Sequence, residues 1–392
     1  MNFFTHKKIL VTGGTGHLGA NLIHCLVEEK QVKPENIRVF YLANSPKESL
    51  DDLKGLEFFA GNVLNGQDVT NACKDIDLVF HLIGNTTFDS RQKRQQWLVN
   101  VEGTRNVLEA VRNAKTIQKL CYTSTVNVLG IPQPVGSIGD FENSDPYKSQ
   151  PGLHTFSSTQ HTLRFIEDVR TNPDSEWEED IGIGYYDSKL AAQELVNYYF
   201  KEHKLNVVSL LPGTMFGPYD HLVGTGMYLL SLYHNQMPVT LTGGFPLAHI
   251  QDVADGHLLA MERAAPGTQY ILSGKEDDNR YLKDMCNIIV EELRQKFPNK
   301  KFKAPRIAVP QWLAYAAATV SEGYAKAFNQ HMVLSREAVR AGECPAFYTS
   351  KKAKQELGYQ PRLTFRQAIA DMIDYYKQHD LFESRGRWID KR

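Results

Sequence analysis

Short apolar runs of strand length alternate, through the first half of the chain, with stretches in which apolar residues recur every three or four positions. "KILVTG", "IRVFYL", "LEFFAG", "DLVFHLIG", "KLCYTST" and "NVVSLLPG" read as strands, bounded by turn residues. Leu18, Leu22, Cys25 and Leu26 mark one face of a helix after the first strand, and "VNVEGTRNVLEAVRNA" is a second helical pattern. Such alternation predicts an α/β protein with a doubly wound parallel sheet covered by helices on both faces. After Pro212 the pattern changes to longer helices and short strands, ending in "QELGYQPRLTFRQAIADMIDYYKQHDLF", a loop followed by an amphipathic helix. The expected division is therefore a first domain over 1–212 and a smaller, mainly substrate-binding α/β region over 213–392. A segment at 248–262, "AHIQDVADGHLLAME", is expected to return to the first domain.

Three stretches stand outside this rhythm. Between about 131 and 184 the chain is polar and irregular, with Pro132, Pro134, Pro146 and Pro151 and an acidic cluster around Trp177. Insertions this long in a compact domain are commonly functional lids; within it "TLRFIEDVRT" has the composition of a short helix. "VPQWLAYAAATV", Val309–Val320, is too short to cross a bilayer, which takes about 20 apolar residues, and reads as a packed or groove-lining helix. The aromatic-rich "GTGMYLLSLYHNQMP", Gly224–Pro238, is the candidate apolar wall of a substrate pocket.

Composition narrows the function classes. With 392 residues, 42% of them hydrophobic, and a formal net charge of −1, the chain has no global nucleic-acid footprint, so the expected partner is a small molecule. Its five cysteines are scattered without a CxxC or metal-ligand spacing, which predicts a reducing compartment and no metal. "MNFFTHKKILVTGG" runs straight into a strand pattern without an apolar signal core, so a cytoplasmic location without stable membrane insertion is expected.

"TGGTGHLG" places Gly13, Gly16 and Gly19 three apart between the first strand and first helix. A tight turn, close backbone approach to a pyrophosphate and a helix N-terminus rich in free N–H groups all require this arrangement, so it predicts a Rossmann-type dinucleotide site. An acidic residue ending the second strand would select NAD(H) through its ribose hydroxyl. Here "VFYLANSPKES" offers Asn44, Ser45 and Lys47 instead, which favours NADP(H) over NAD(H). Further on, "GIGYYDSKLAAQ" sets Tyr185 and Lys189 at i and i+4 on one face of a helix, with Tyr186 facing elsewhere. A phenol with a reference pKa of about 10 shuttles protons poorly near neutrality unless positive charge favours its ionised form, and Lys189 is expected to supply that charge.

In this order, "TGGTGHLG", "GNVLN", "VFHLIG", "NVEGTRNVLEA", "CYTSTVNVLG", "YYDSK" and "LLPGTMFGP" resemble the extended branch of the short-chain dehydrogenase/reductase superfamily over nearly the whole chain. "AHIQDVADGHLLAMERA", "YILSG" and the C-terminal helix look most like its dihydroflavonol reductase and 3β-hydroxysteroid dehydrogenase group. The resemblance implies that Thr125 binds the substrate oxygen, that Tyr185 exchanges the proton, and that Lys189 also holds the nicotinamide ribose. Asn100 would support them. It further implies cofactor contacts at Gly13, Thr15, Gly16, His17, Leu18 and Gly19, at Asn44, Ser45 and Lys47, and at Asn62 and Val63. Leu82, Gly84, Thr123, Tyr185, Lys189, Pro212 and Thr214 would complete the cofactor cleft, and the family is compatible with a homodimer.

Three departures bear on ligand recognition, the first on the adenine contact and the others on substrate. Asn62 replaces a usual aspartate, Leu211 replaces an arginine common in sugar-nucleotide members, and Val126 and Asn127 stand where dehydratases carry an Asp-Glu pair. The last two point away from nucleotide sugars. The expected activity is NADPH-dependent reduction of a ketone or aldehyde, or the reverse oxidation, on an apolar, polyketide-, lipid- or flavonoid-like molecule. A nucleotide-sugar epimerase is the alternative, and a non-catalytic dinucleotide sensor should lack the tyrosine-lysine pair.

Overall fold

The computed structural model describes residues 2–146, 159, 160, 163, 184–328 and 334–384. Seven strands form the main sheet: β1 (Ile9–Thr12), β2 (Ile37–Tyr41), β3 (Glu57–Ala60), β4 (Leu78–His81), β5 (Lys119–Thr123), β6 (Val207–Pro212) and β7 (Gln269–Leu272). All pair in parallel, in the spatial order β7-β6-β5-β4-β1-β2-β3. Strand side chains alternate between faces, and the two cores show it residue by residue. Ile9, Val11, Leu78, Phe80, Cys121, Val208 and Leu210 enter one core, whereas Leu10, Val79, Leu120, Tyr122 and Val207 enter the other. The chain moves outward from β1 through β2 to β3 and then returns to β4. Strand order therefore reverses between β1 and β4, which opens a crevice at their C-terminal ends.

Helix Ile250–Arg263 lies against the first helix, His17–Glu28, and adds Ile250, Val253, Ala254 and Leu258 to that side's core. The main sheet also takes its seventh strand, Gln269–Leu272, from beyond the 248–262 segment, and Leu357 and Tyr359 join the same core. The remaining chain builds a three-stranded sheet of Thr214–Phe216, Gly244–His249 and Asn279–Tyr281. Helices Gly226–Tyr233, Leu282–Lys296 and Phe365–Gln378 form a third core with it.

Two expectations are corrected here. Of the Gly224–Pro238 stretch expected to form a pocket wall, Leu229, Leu230, Leu232 and Tyr233 are instead buried in that third core, and Met227, Tyr228 and Met237 are its partly buried apolar residues. Helix Gln311–Phe328, which contains most of the Val309–Val320 run, is packed by small residues and by Tyr315 and not by most of its large ones. It turns Ala314 and Ala318 inward against Val339 and leaves Trp312 72%, Val320 74% and Phe328 63% exposed. Among the described residues no helix is long and apolar enough to cross a membrane. Of the long insertion, Ile138–Gly139 pairs with Phe347–Tyr348; the "TLRFIEDVRT" helix lies almost wholly outside the described residues.

Candidate active site

The glycine turn follows β1 into the first helix with the geometry a dinucleotide requires. Gly13 adopts a left-handed φ of 71°, and its N–H donates to the Phe40 carbonyl at 2.9 Å. A Cβ on Gly19 would stand 2.3 Å from the Gly13 carbonyl oxygen and 2.6 Å from the Gly14 Cα, so only glycine lets the helix sit this close to the turn. Gly14, not singled out by spacing, is equally confined, since a Cβ there would lie 2.7 Å from Val39 Cγ1. Gly16 begins the helix without a side-chain cap, and no acidic residue occupies the first turn, leaving the N–H groups and the positive dipole end to an anion. Thr15 and Leu18 are buried beside them. The His17 imidazole turns away toward the loop after Phe216, with Nε2 3.3 Å from the Gly217 carbonyl and Nδ1 3.9 Å from Asp220 Oδ1. Burial holds its pKa below the ordinary histidine value. These features fit a pyrophosphate.

Farther along the crevice, Asn44 and Ser45 form the turn after β2, where the Ser45 N–H donates to the Leu42 carbonyl at 2.8 Å. Lys47 Nζ lies 5.1 and 5.0 Å from the Tyr41 and Phe58 ring centroids, a cation held at the mouth of β2 and β3. Asn62 Oδ1 accepts the Leu64 N–H at 3.0 Å, and the Val63 carbonyl accepts Asn106 Nδ2 at 2.8 Å, so both residues shape the loop after β3. Nearer the centre, Leu82 follows β4, its N–H donating to the Thr12 carbonyl at 3.2 Å. Pro212 ends β6 in register with Leu272, and Thr214 opens the neighbouring small sheet opposite Leu247.

The structure brings Thr123, Thr125, Tyr185, Lys189, Gly84 and Asn100 together beyond the ends of β4 and β5. Helix Gly184–His203 presents Tyr185 and Lys189 one turn apart. The Thr125 side chain lies beside the half-buried Tyr185 phenol and works to lower its pKa, which burial pushes up to about 12. Lys189 is buried, and desolvation brings its ammonium down to about 7. Its Nζ donates to the Thr123 carbonyl at 2.7 Å and sits 4.7 Å from the Tyr122 ring centroid. A Cβ on Gly84 would stand 4.0 Å from it. The expectation that Lys189 lowers the phenol's pKa is therefore corrected. A desolvated ammonium needs an acceptor and finds the strand-end carbonyl, while the neighbour that favours the phenolate is Thr125.

A layer of buried hydrogen bonds fixes this constellation. Asn100, on a π-helical turn over Leu98–Glu102, accepts the Asn85 N–H at 2.7 Å and donates to the Asn85 carbonyl at 3.0 Å and to Ser188 Oγ at 2.9 Å. It thus clamps the loop after β4 to the helix of Tyr185. Beneath it, His81 is a buried strand histidine 2.8 Å from Thr12 Oγ1 and 3.1 Å from Thr104 Oγ1, and burial brings its pKa down to about 3. His249 caps helix Ile250–Arg263 through the Gln251 N–H.

Sequence reasoning missed two supports. His257, in mid-helix, lies 2.9 Å from Thr123 Oγ1 and, with a pKa brought down to about 4 by burial, stays neutral; it holds the residue whose carbonyl receives Lys189. Glu337 accepts the N–H of Gly184, the residue before Tyr185, at 3.2 Å. Neither carried a local signal, because each partner is more than a hundred positions away.

The walls beside the phenol are apolar. Phe88 meets Tyr185 edge to face at 5.9 Å and Tyr186 at 6.2 Å, and Ile131 and the buried Tyr186 pack with Ala341 and Cys344. Tyr186 is thus packing. Among the described residues no group of His, Cys, Asp or Glu is placed to hold a metal.

Known proteins fall in line with this geometry. Residues 10–161 match the 3-beta hydroxysteroid dehydrogenase/isomerase family, and residues 166–272 match the NAD dependent epimerase/dehydratase family. A putative dihydroflavonol 4-reductase of Synechocystis sp. is 27% identical over 371 residues, 94% of this chain and 94% of that protein. A 3-beta-hydroxysteroid dehydrogenase of Mycolicibacterium neoaurum is 25% identical, covering 96% of this chain and 93% of its own length. The crystal structure of gox2253 superposes with a TM-score of 0.70 at 28% identity, over 95% of this chain and 99% of that one. Fold, motif order and relatives agree that the chain belongs to the extended short-chain dehydrogenase/reductase superfamily and is a nicotinamide-dependent oxidoreductase of that type.

Proposed function

We propose that the protein reduces a ketone or aldehyde, or oxidises the corresponding alcohol, on an apolar molecule of flavonoid, steroid, polyketide or lipid type, with preference for NADP(H). The observation that carries this reading is the Tyr185 phenol beside Thr125 within apolar walls of Phe88, Ile131, Tyr186, Ala341 and Cys344. A bound nicotinamide dinucleotide supplies or accepts the hydride. With its pKa pushed up to about 12, Tyr185 is protonated near neutrality and serves as the acid that delivers a proton to the product oxygen. The Thr125 hydroxyl aligns the phenol and donates to oxygen on which charge develops. Lys189, anchored on the Thr123 carbonyl beside Gly84, is placed to hold the nicotinamide ribose. The names of the relatives, a dihydroflavonol 4-reductase and a 3-beta-hydroxysteroid dehydrogenase, support the substrate class. For the cofactor, Lys47 puts positive charge at the end of β2, where an NAD-selecting carboxylate would stand.

Two assays test this. Following NADPH absorbance with dihydroflavonols, and NADP+ reduction with 3β-hydroxysteroids, should reveal turnover in at least one series; fluorescence titration should show NADPH binding more tightly than NADH. Tighter NADH binding contradicts the cofactor assignment. A rise in the melting temperature of the cofactor complex with UDP- or dTDP-sugars, and none with apolar ketones, would move the chain to the epimerases.

A further inference from the structure

We propose that Glu337 is a positioning residue for Tyr185: through the N–H of Gly184 it fixes the start of the helix that carries the phenol, so the C-terminal segment sets the alignment of the proton donor. This inference rests on the reading of Tyr185 given above. Helix Gly184–His203 is 20 residues long, and the first turn of a helix leaves backbone N–H groups that need partners from elsewhere. Glu337 reaches that turn from helix Arg336–Ala341, 153 positions away in sequence, and its Oε2 accepts the Gly184 N–H at 3.2 Å. Glu337 is only 5% exposed, and Lys93 Nζ stands 3.3 Å from its other oxygen, giving the buried charge a partner. An anion in this place is favoured by the helix dipole as well as by the hydrogen bond.

The surroundings leave the helix start little room. A Cβ on Gly184 would stand 2.9 Å from Gln96 Oε1 and 3.1 Å from Lys93 Cγ. Gln96 in turn donates to the carbonyls of Asn85 and Thr87 at 3.1 and 2.7 Å, in the same loop that Asn100 clamps. The position of Tyr185 is therefore defined from both sides: Asn100 acts through Ser188, whose Oγ donates to the Tyr185 carbonyl at 2.9 Å, and Glu337 acts through Gly184. Of these, Glu337 alone comes from the far end of the chain. Its helix also packs Val339 against Ala314 and Ala318 of helix Gln311–Phe328.

The test compares wild type with Glu337→Ala, Glu337→Gln and Tyr185→Phe, using a 3β-hydroxysteroid with NADP+ as the turnover probe. Amide hydrogen exchange over residues 184–190 and NADPH affinity are measured on the same proteins. Glu337→Ala is expected to lose about 10- to 100-fold in kcat with NADPH affinity held within about threefold. Exchange at 184–188 should accelerate about tenfold or more. Glu337→Gln, which keeps an oxygen for the Gly184 N–H, should recover most of kcat and of the protection. Unchanged exchange in Glu337→Ala overturns the proposal, as does unchanged kcat, or a glutamine variant no better than alanine. If Tyr185→Phe turns over like wild type, it is the underlying assignment of the phenol that fails. If the steroid is not turned over by wild type, the exchange arm decides for Glu337.

Discussion

The crevice between β1 and β4 and the helix Gln311–Phe328 are opposite solutions to the same sequence grammar. In the crevice, apolar residues point inward and glycines let backbone approach backbone. On the helix, Ala314, Ala318 and Ala325 point inward, while Trp312, Val320, Tyr324 and Phe328 form an exposed stripe. Periodicity reveals that a helix has two faces, but the neighbouring elements decide which one is covered. Here the covering element, Arg336–Ala341, is short and meets the alanine side.

Glycine substitutions sharpen this contrast most. Gly19→Ala places a Cβ 2.3 Å from a backbone oxygen. Overpacking of that kind costs roughly 1–3 kcal/mol or more, and by distorting the anion cradle it should weaken NADPH about 100-fold, read by fluorescence titration. Gly323→Ala, on the exposed helix with nothing within 4 Å of the new Cβ, should instead raise stability by about 0.5–1 kcal/mol. Weak NADPH binding in both, or in neither, breaks the comparison.

Acid separates the two regions next. His81 and His257 beneath the crevice are held neutral, with folded pKa values of about 3 and about 4 against an ordinary 6.5. Below pH 6.5 the unfolded chain takes up protons that the folded one refuses. Stability is therefore complete above about pH 6.5 and lost as pH falls toward 4 and then 3, by on the order of 3 kcal/mol for His257 alone. Calorimetry across pH 7 to 4 should show the loss, and His257→Leu should flatten it. The same substitution strands Thr123 Oγ1, lowering stability at neutral pH by about 1–3 kcal/mol. Val320→Ser, at a residue 74% exposed, should change stability by no more than about 0.5 kcal/mol, in a urea titration.

The glycine loop, the parallel sheet and the Tyr185–Lys189 spacing were legible because each is encoded by local pattern, whereas Thr125 was placed beside them by the resemblance of its strand to the family. Lys189 was found but its electrostatic role was misread, since the strand-end carbonyl that captures it is visible only in three dimensions. Asn62 was legible as an odd residue; its hydrogen bond to the Leu64 N–H supplies a local loop-forming role. Support from His257 and Glu337 was silent, because a lone histidine in an apolar helix and a lone glutamate in a polar one look alike whether or not they reach a distant partner. Of the apolar stretch after Gly224, assigned to a pocket wall, Leu229, Leu230, Leu232 and Tyr233 belong to the third core, because apolar character alone does not say which neighbour covers a residue.

Removal of one oxygen atom tests the central claim most directly. Tyr185→Phe and Tyr186→Phe should both bind NADPH within about threefold of wild type, but only the first should lose turnover, by about 100- to 10,000-fold. Wild-type turnover in Tyr185→Phe, or an equal loss in Tyr186→Phe, would contradict the account.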